Sequence, residues 1–153
     1  MIRLQWCLAF GAAAALAAAQ PEPPKELSVL MAKTRVDGQL TGWCGGELRA
    51  GRRNAFAAAV TSPAGGGRYL VLDADGTVAL LAPFKGTPDL SCYTPAEARK
   101  LGESIRASET IRGRVEPAFS TTVVCGFVDA TSAVCWQYSP AARAFVEVGE
   151  WQT

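Results

Sequence analysis

Residues 119–139 read FSTTVVCGFVDATSAVCWQYS, and this stretch decides the fold. Two apolar runs flank Asp129-Ala130-Thr131-Ser132, a cluster of residues that is typical of turns. A hairpin centred on Ala130 places Cys125 directly opposite Cys135. Because the Cβ atoms of such cross-strand neighbours lie ~4.5–5.5 Å apart, close to the range of a disulfide, the stretch predicts an antiparallel hairpin closed by a Cys125–Cys135 bond.

The remaining cysteines extend this argument to the rest of the chain. The sequence has five cysteines, and Cys7 falls in an N-terminal segment that we expect to be removed, which leaves an even number. Once Cys125 pairs with Cys135, Cys44 is left to pair with Cys92, and a Cys92–Cys125 bond is the alternative. No C-x-x-C pair is present, so a metal or redox site is the weaker interpretation. We therefore expect two structural disulfides and no metal.

A second hairpin is predicted further upstream. Residues 68–72 and 77–82 are rich in strand-forming residues and flank Asp73-Ala74-Asp75-Gly76. Asp-Gly between two such runs is a strong short-range signal for a hairpin. The same four residues begin like a calcium-binding loop, but the third carboxylate and the closing Glu of that motif are missing. We interpret them as a turn.

Two short helices are also predicted. Residues 25–33 place apolar side chains at the i, i+3, i+4 spacing of an amphipathic helix. The second helix begins after Thr94, an N-cap residue that is followed by Pro95 at the first helical position. Glu97 completes a capping box, and an apolar stripe continues to about residue 107.

Together these elements predict an α+β fold, in which two short helices pack on antiparallel sheet built from hairpins and two disulfides staple the chain. We expect a single domain over residues 27–153, preceded by a flexible, proline-rich lead-in over residues 20–26. The order of helix, strands and hairpin occurs twice, and Asn54-Ala55-Phe56 is echoed by Pro117-Ala118-Phe119. A duplicated helix-plus-sheet unit is one alternative, and a domain without a repeat is the other.

Residues 1–19 have the pattern of a cleaved secretory signal peptide. A short basic segment ending at Arg3 precedes an uncharged apolar run over residues 4–16, and small residues precede a cut before Gln20. An uncleaved anchor is disfavoured, because residues 4–19 fall short of the ~20 residues that a spanning helix needs. We expect a periplasmic or secreted protein with no transmembrane segment after cleavage. The excess of arginine over lysine, 11 against 4, favours a bacterium with a GC-rich genome.

Composition excludes several classes of function. The chain has no histidine, which excludes Ser–His–Asp and Cys–His catalysis and histidine-ligated metals. Removing Arg3 with the leader leaves 14 basic residues against 14 acidic ones, so no net charge attracts the chain to nucleic acid. Phosphate-binding glycine motifs and the motifs of serine enzymes are missing as well, so we expect no cofactor.

The candidate binding residues are a basic cluster and a tryptophan. Arg49, Arg52 and Arg53 form the main basic cluster, and arginine pairs bidentately with carboxylates. A solvated loop is the alternative interpretation of this cluster. Trp43 lies beside Cys44 on a predicted loop that a disulfide would hold rigid, which makes Trp43 the candidate anchor for a partner.

The leading hypothesis is a non-enzymatic exported protein that binds or inhibits another protein of the cell envelope or the extracellular space. One alternative is a structural component of an envelope complex. The other is a small hydrolase of cell-wall glycan, which needs two carboxyl groups across a cleft. Candidates for that pair are Glu47, Asp89, Glu116, Glu147 and Glu150. Because the chain has no catalytic motif, the sequence favours binding over catalysis.

Overall fold

The structure is a computed structural model, and it describes residues 21–153. The predicted signal peptide, residues 1–19, lies outside the described residues. Helix α1 begins at Lys25, so the last two residues of the predicted lead-in are helical. The described chain forms two helices and nine strands: α1 (Lys25–Thr34), β1 (Gln39–Gly46), β2 (Ala55–Thr61), β3 (Gly67–Leu72), β4 (Val78–Phe84), β5 (Leu90–Tyr93), α2 (Pro95–Ala107), β6 (Arg112–Val115), β7 (Val123–Phe127), β8 (Ser132–Ser139) and β9 (Ala144–Gln152).

The strands form two sheets in which every neighbouring pair is antiparallel. The first sheet is a meander with the order β1-β2-β3-β4, and the second has the order β5-β7-β8-β9-β6. Both predicted hairpins are confirmed. The Asp-Gly turn joins β3 to β4, and the turn around Ala130 joins β7 to β8.

The two sheets pack face to face, and each carries one helix on its outer face, so the protein is a four-layer α/β/β/α sandwich. The layers follow from alternation, because successive side chains of a strand point to opposite faces. In the first sheet, Ala57 and Tyr69 share a core with Trp136 of the second sheet. Their neighbours Ala58 and Leu70 point the other way and pack with α1. Strand β2 is therefore buried on both faces, which accounts for its nearly continuous apolar run.

Helix α2 covers the outer face of the second sheet and has the predicted capping box. The side chain of Glu97 accepts a hydrogen bond from the N–H of Thr94 (2.8 Å), and the Thr94 hydroxyl accepts one from the N–H of Glu97 (3.4 Å). The buried side of α2 packs in a core that contains the Cys125–Cys135 disulfide.

Both predicted disulfides are present, and the alternative Cys92–Cys125 bond is excluded. Cys125 and Cys135 are directly paired on β7 and β8, with their Cα atoms 4.0 Å apart. The Cys44–Cys92 bond joins β1 of the first sheet to β5 of the second, with a Cα–Cα distance of 5.7 Å. One bond therefore closes a hairpin, and the other ties the two sheets together at their edges.

The sequence predicts helices on antiparallel sheet, and the structure divides that sheet in two, with one helix on each. The alternative of a duplicated helix-plus-sheet unit receives no support. In the first sheet, β1 follows its helix and pairs with the next strand, β2. In the second sheet, β6 follows its helix but pairs with the distant β9, and β5, which precedes that helix, pairs with β7. The two halves therefore do not share a topology.

Tyr69 joins the two sheets across the centre of the sandwich. Its ring lies against Gly126 of β7, where an added Cβ would come within 2.8 Å of ring carbons, and it stacks on Phe84 with centroids 4.5 Å apart. Its hydroxyl donates to the carbonyl of Phe127 (2.7 Å) and accepts from the N–H of Asp89 (3.3 Å). Burial raises the pKa of the phenol. Gly126 is required here because no side chain fits beneath the ring.

Candidate functional site

The loop that carries the predicted basic cluster follows β1 and is held by hydrogen bonds within the loop. The N–H of Gly51 donates to Glu47 Oε1 (2.8 Å), and the N–H of Arg52 donates to the carbonyl of Arg49 (3.0 Å). Gly51 has a φ of 76°, a conformation that glycine adopts without strain. Leu48, at the start of the loop, is fully buried. This tight turn holds Arg49 and Arg52 side by side.

Asp73 of the β3–β4 turn meets both of these arginines. Its side chain is only 1% exposed, and Oδ2 lies 3.3 Å from Arg49 Nε and 3.2 Å from Arg52 Nη1. The other carboxylate oxygen accepts a hydrogen bond from the N–H of Ala74 (3.0 Å). A buried carboxylate needs such partners, because removing a charge from water without compensation is costly. Asp73 therefore ties the arginine loop to the β3–β4 turn.

Arg52 is also bound to the exposed Asp75. Its Nη1 lies 2.7 Å from Asp75 Oδ2, and Asp75 Oδ1 accepts from the N–H of Thr77 (2.8 Å). The hydrogen bonds from Thr77, followed by the one from Arg52, hold the pKa of the Asp75 carboxyl well below its ordinary value. The bond to Asp75 in turn raises the pKa of Arg52. Two aspartates therefore compensate much of the charge of this arginine.

Arg49 connects the two sheets rather than facing solvent. Its guanidinium lies 4.6 Å from the ring centroid of Tyr138 on β8 and 5.7 Å from that of Phe145 on β9. The same side chain contacts Asp73 of the first sheet. A cation over an aromatic face is attracted by the quadrupole of the ring, so Arg49 stabilises the contact between the sheets. Its position gives it a structural role.

Arg53 is exposed and belongs to a surface that we call the basic face. We define the basic face as Lys25, Val29 and Lys33 of α1, together with Arg52, Arg53, Asn54 and residues 74–76. A shallow cavity of about 350 Å³ along α1 shares Asn54 and Ala74 with a second cavity of about 340 Å³ beside the arginine loop, so the two are adjacent. At the end of the face, the side chain of Lys33 lies over Gly76.

Val29 is the apolar element of the basic face, and 56% of it is exposed. It shares one side of α1 with Lys25 and Lys33, because residues four apart on a helix are neighbours. Lys25 and Glu26 line the cavity along α1 with it. Arg53 lines the adjacent cavity, in which Asp73 and Asp75 are both paired with Arg52. An exposed apolar side chain among cations can bind a ligand that is acidic and partly apolar.

Trp43 lies elsewhere, which corrects its predicted position on a loop. It belongs to strand β1, where it pairs with Ala58, and its side chain faces the α1 layer. The indole packs edge-on against Phe56 with centroids 6.4 Å apart, and its N–H donates to the carbonyl of Pro21 (3.4 Å). Trp43 lines neither cavity of the basic face. The structure therefore does not bring it together with Arg52 and Arg53.

The carboxylates that the hydrolase hypothesis names fall in different parts of the fold, except that three of them, Glu116, Glu147 and Glu150, lie on or beside the paired strands β6 and β9. They lie after β1, before β5, after β6 and on β9, in the order Glu47, Asp89, Glu116, Glu147 and Glu150. Glu47 is engaged by the N–H of Gly51. Within residues 21–153, no three Asp, Glu, Cys or His side chains are grouped so that they could hold a metal ion.

Comparison with known proteins gives no identification: no family model, curated protein or solved structure matches the chain. Among the helices of residues 21–153, none has both the length and the apolar character needed to cross a membrane.

Sequence reasoning missed the aspartate partners of the arginines and the exposed Val29. The signal for the first was present in the predicted elements. Strands β2 and β3 are antiparallel, with Phe56 opposite Leu72, so the loop before β2 and the turn after β3 lie at the same end of the sheet. Two arginines in that loop and two aspartates in that turn are therefore brought together. The signal for Val29 was present as well, because the i, i+3, i+4 stripe of α1 runs through Leu27 and Leu30 and leaves Val29 on the other side of the helix.

Proposed function

We propose that this protein is an exported, non-enzymatic binding protein that engages an acidic region of another envelope or extracellular protein through the basic face. The observation that carries the proposal is Val29, an apolar side chain that is 56% exposed in a cavity that Lys25 also lines and that adjoins the cavity lined by Arg53. Aliphatic side chains near the centre of a patch contribute affinity when they are desolvated, and surrounding charges select the partner. An acidic partner complements this arrangement.

The internal ion pairs also support binding at this face. Because Asp73 fixes Arg52 and the β3–β4 turn, the floor of the arginine-loop cavity is held in one conformation before any partner arrives. A preorganised surface loses less conformational entropy on association. Arg53, which precedes Asn54, then supplies a guanidinium that can meet a carboxylate bidentately.

The compartment is part of the proposal. Two disulfides favour an oxidising environment, because cytosolic thiols are kept reduced. The sequence pattern of residues 1–19 supports export by a signal peptide. The partner is then a protein of the periplasm or of the extracellular medium. The protein described here either inhibits that partner or serves as its accessory protein.

The experiment is a crosslinking pull-down with the purified, oxidised protein against an envelope extract, read by mass spectrometry. We expect a partner that the wild type retains and that Val29→Gln and Arg53→Glu lose by at least about tenfold. Binding should weaken between about 50 mM and about 500 mM salt, since the attraction is between exposed charges.

Two variants serve as matched controls. Lys100→Glu makes an equivalent charge change on α2, which lies on the opposite outer layer of the sandwich. Val146→Gln makes the same apolar-to-polar change on β9, at a side chain that is 36% exposed. Both should bind like the wild type. If the controls lose the partner as much as the basic-face variants do, or if no protein is enriched, the proposal is wrong.

A further inference from the structure

Two carboxylates of the chain meet at one nitrogen of Arg52, although the side chain of this arginine is 49% exposed. Asp75 Oδ2 lies 2.7 Å from Arg52 Nη1, and Asp73 Oδ2 lies 3.2 Å from the same nitrogen. Within residues 21–153 the guanidinium has no other side-chain partner, so Nε and Nη2 make no hydrogen bond. Because an arginine has five N–H donors, most of the binding capacity of Arg52 is unused.

The two carboxylates differ in how firmly they are held. Asp73 is 1% exposed and also contacts Arg49 Nε at 3.3 Å, so it is committed to the interior. Asp75 is 47% exposed. An exposed ion pair contributes little to stability, because water solvates both charges when the pair opens. Asp75 is therefore the carboxylate that can leave Arg52, while Asp73 keeps the arginine in place.

The two oxygens of Asp75 have separate roles. Oδ1 accepts a hydrogen bond from the N–H of Thr77 (2.8 Å), an Asx turn that shapes the connection between β3 and β4. Oδ2 contacts Arg52. The β7–β8 hairpin contains the same turn bond without an arginine, because Asp129 Oδ1 accepts from the N–H of Thr131 (2.9 Å). The turn at Asp75 therefore does not need the ion pair.

We propose that Asp75 is an internal competitor of the partner: its carboxylate occupies Arg52 in the free protein, and a carboxylate of the partner's acidic region displaces it. The inference deepens the proposed function and rests on it. Asp75, Arg52 and Arg53 line the same cavity of about 340 Å³, so a ligand that enters this cavity meets all three. Asp75 contacts Arg52 through one oxygen only. A carboxylate outside a turn can bind with both oxygens, and a bidentate pair is the stronger one.

The two neighbouring arginines start from different states. Among residues 21–153, no carboxylate is paired with Arg53, so it can receive a ligand directly. Arg52 becomes available only when Asp75 leaves. An acidic ligand thus gains two guanidinium groups, and only one exposed ion pair is broken. Without Asp75 in this place, the same ligand should bind more tightly.

Asp75→Asn separates the two roles of the side chain. The amide oxygen still accepts the N–H of Thr77, so the turn is kept, but the negative charge at Arg52 is lost. The probe is a capped peptide of glutamates around a central leucine, which carries an uncharged fluorophore. Fluorescence anisotropy measures its binding to the oxidised protein at about 50 mM salt. We expect Asp75→Asn to lower the dissociation constant about three- to tenfold relative to the wild type.

Asp129→Asn is the matched control, because it makes the same change in the same kind of turn. The N–H of Lys85, which follows β4, donates to the carbonyl of Val128, so Asp129 lies at the opposite end of β4 from Asp75. This variant should bind the peptide like the wild type. Circular dichroism checks that each variant is folded.

A second comparison distinguishes competition from repulsion. Asp75→Asn is also measured in an Arg52→Gln background, where a competitor for this arginine has nothing to release. The gain in affinity should then fall below about twofold. A carboxylate that merely repels the peptide would give the same gain in both backgrounds.

The outcomes separate this inference from the proposed function. If Arg53→Glu weakens peptide binding but Asp75→Asn leaves it unchanged, the inference is wrong and the proposed function stands. A gain that Asp129→Asn or the Arg52→Gln background reproduces has the same meaning. Peptide binding that Arg53→Glu does not alter contradicts both, and so does a peptide that binds neither the wild type nor Asp75→Asn up to about 1 mM.

Discussion

Replacing Tyr69 by phenylalanine tests whether one hydroxyl group holds the two sheets together. The ring of Tyr69 crosses from the first sheet to Gly126 of the second, and the substitution leaves that packing in place. Only the hydroxyl is lost, with its bonds to the Phe127 carbonyl at 2.7 Å and to the Asp89 N–H at 3.3 Å. The first of these links β3 to the end of β7, so the bond spans the sandwich.

The expected magnitude follows from what the hydroxyl leaves behind. A buried donor or acceptor without a partner costs about 1–3 kcal/mol, more than the net value of an ordinary hydrogen bond. Tyr69→Phe leaves one acceptor and one donor near a fully buried ring. We therefore expect the free energy of unfolding to fall by about 1–3 kcal/mol. At about 2–4 °C per kcal/mol for a chain of this size, the midpoint of thermal unfolding should fall by several degrees.

Urea unfolding of the oxidised protein, followed by circular dichroism, measures this loss. The matched control is Tyr138→Phe, because Tyr138 is half-buried and its hydroxyl has no hydrogen-bond partner among residues 21–153. Its ring still lies beneath Arg49 after the substitution. A Tyr69→Phe loss below about 0.5 kcal/mol, or one equal to that of the control, would refute the cross-sheet role of the hydroxyl.

Further predictions concern the same sandwich. Gly126→Ala should lower the free energy of unfolding by about 1–3 kcal/mol in urea, since its methyl group collides with the Tyr69 ring; wild-type stability would contradict this packing. Asp73→Asn should also cost about 1–3 kcal/mol by the same assay, because Arg49 then faces a neutral amide, and an unchanged midpoint would show that the ion pair is dispensable. The pKa of Tyr69 is raised in the folded state, so the neutral phenol contributes to the stability of the fold below about pH 10. This contribution is lost as the pH rises through the folded-state pKa. The stability of Tyr69→Phe should therefore fall less steeply at alkaline pH than that of the wild type. The pKa of Asp75 is lowered in the folded state, so the ionised carboxylate contributes to the stability of the fold above about pH 4, and this contribution is lost as the pH falls. Asp75→Asn should therefore lose less stability in acid, and a variant whose acid unfolding curve is as steep as that of the wild type would contradict this.

The elements with local signals could be predicted from the sequence. The capping box at Thr94, the Asp-Gly turn at Gly76 and the two cysteines that flank Ala130 each depend on residues close together in the chain. Such signals survive folding because tertiary contacts do not compete with them. The second disulfide then followed by elimination, and its geometry in the structure agrees.

The division of the strands into two packed sheets could not be predicted, because the alternation of apolar and polar residues along a strand is the same in one sheet or in two. Strand β5 is four residues long and carries no clear period, so its place beside β7 was not foreseen. Gly42 suggests a break in the chain, yet it lies inside β1 at a shift in register. That shift keeps Trp43 on a strand and on the α1 side, away from the arginine loop. Long-range pairing determined these outcomes, and it leaves little trace in local sequence.

The interior position of β9 has a consequence for the order of assembly. The first sheet forms from neighbouring hairpins, so it can assemble as soon as residues 39–84 are available. The second sheet cannot, because β9 follows all the other strands of residues 21–153 and lies between β8 and β6. Pairing of β6 with β9 must close a long loop, which slows folding. A chain that emerges with its N-terminus first therefore waits, with β6 unpaired and one side of β8 open, until residues 144–152 arrive to complete the sheet.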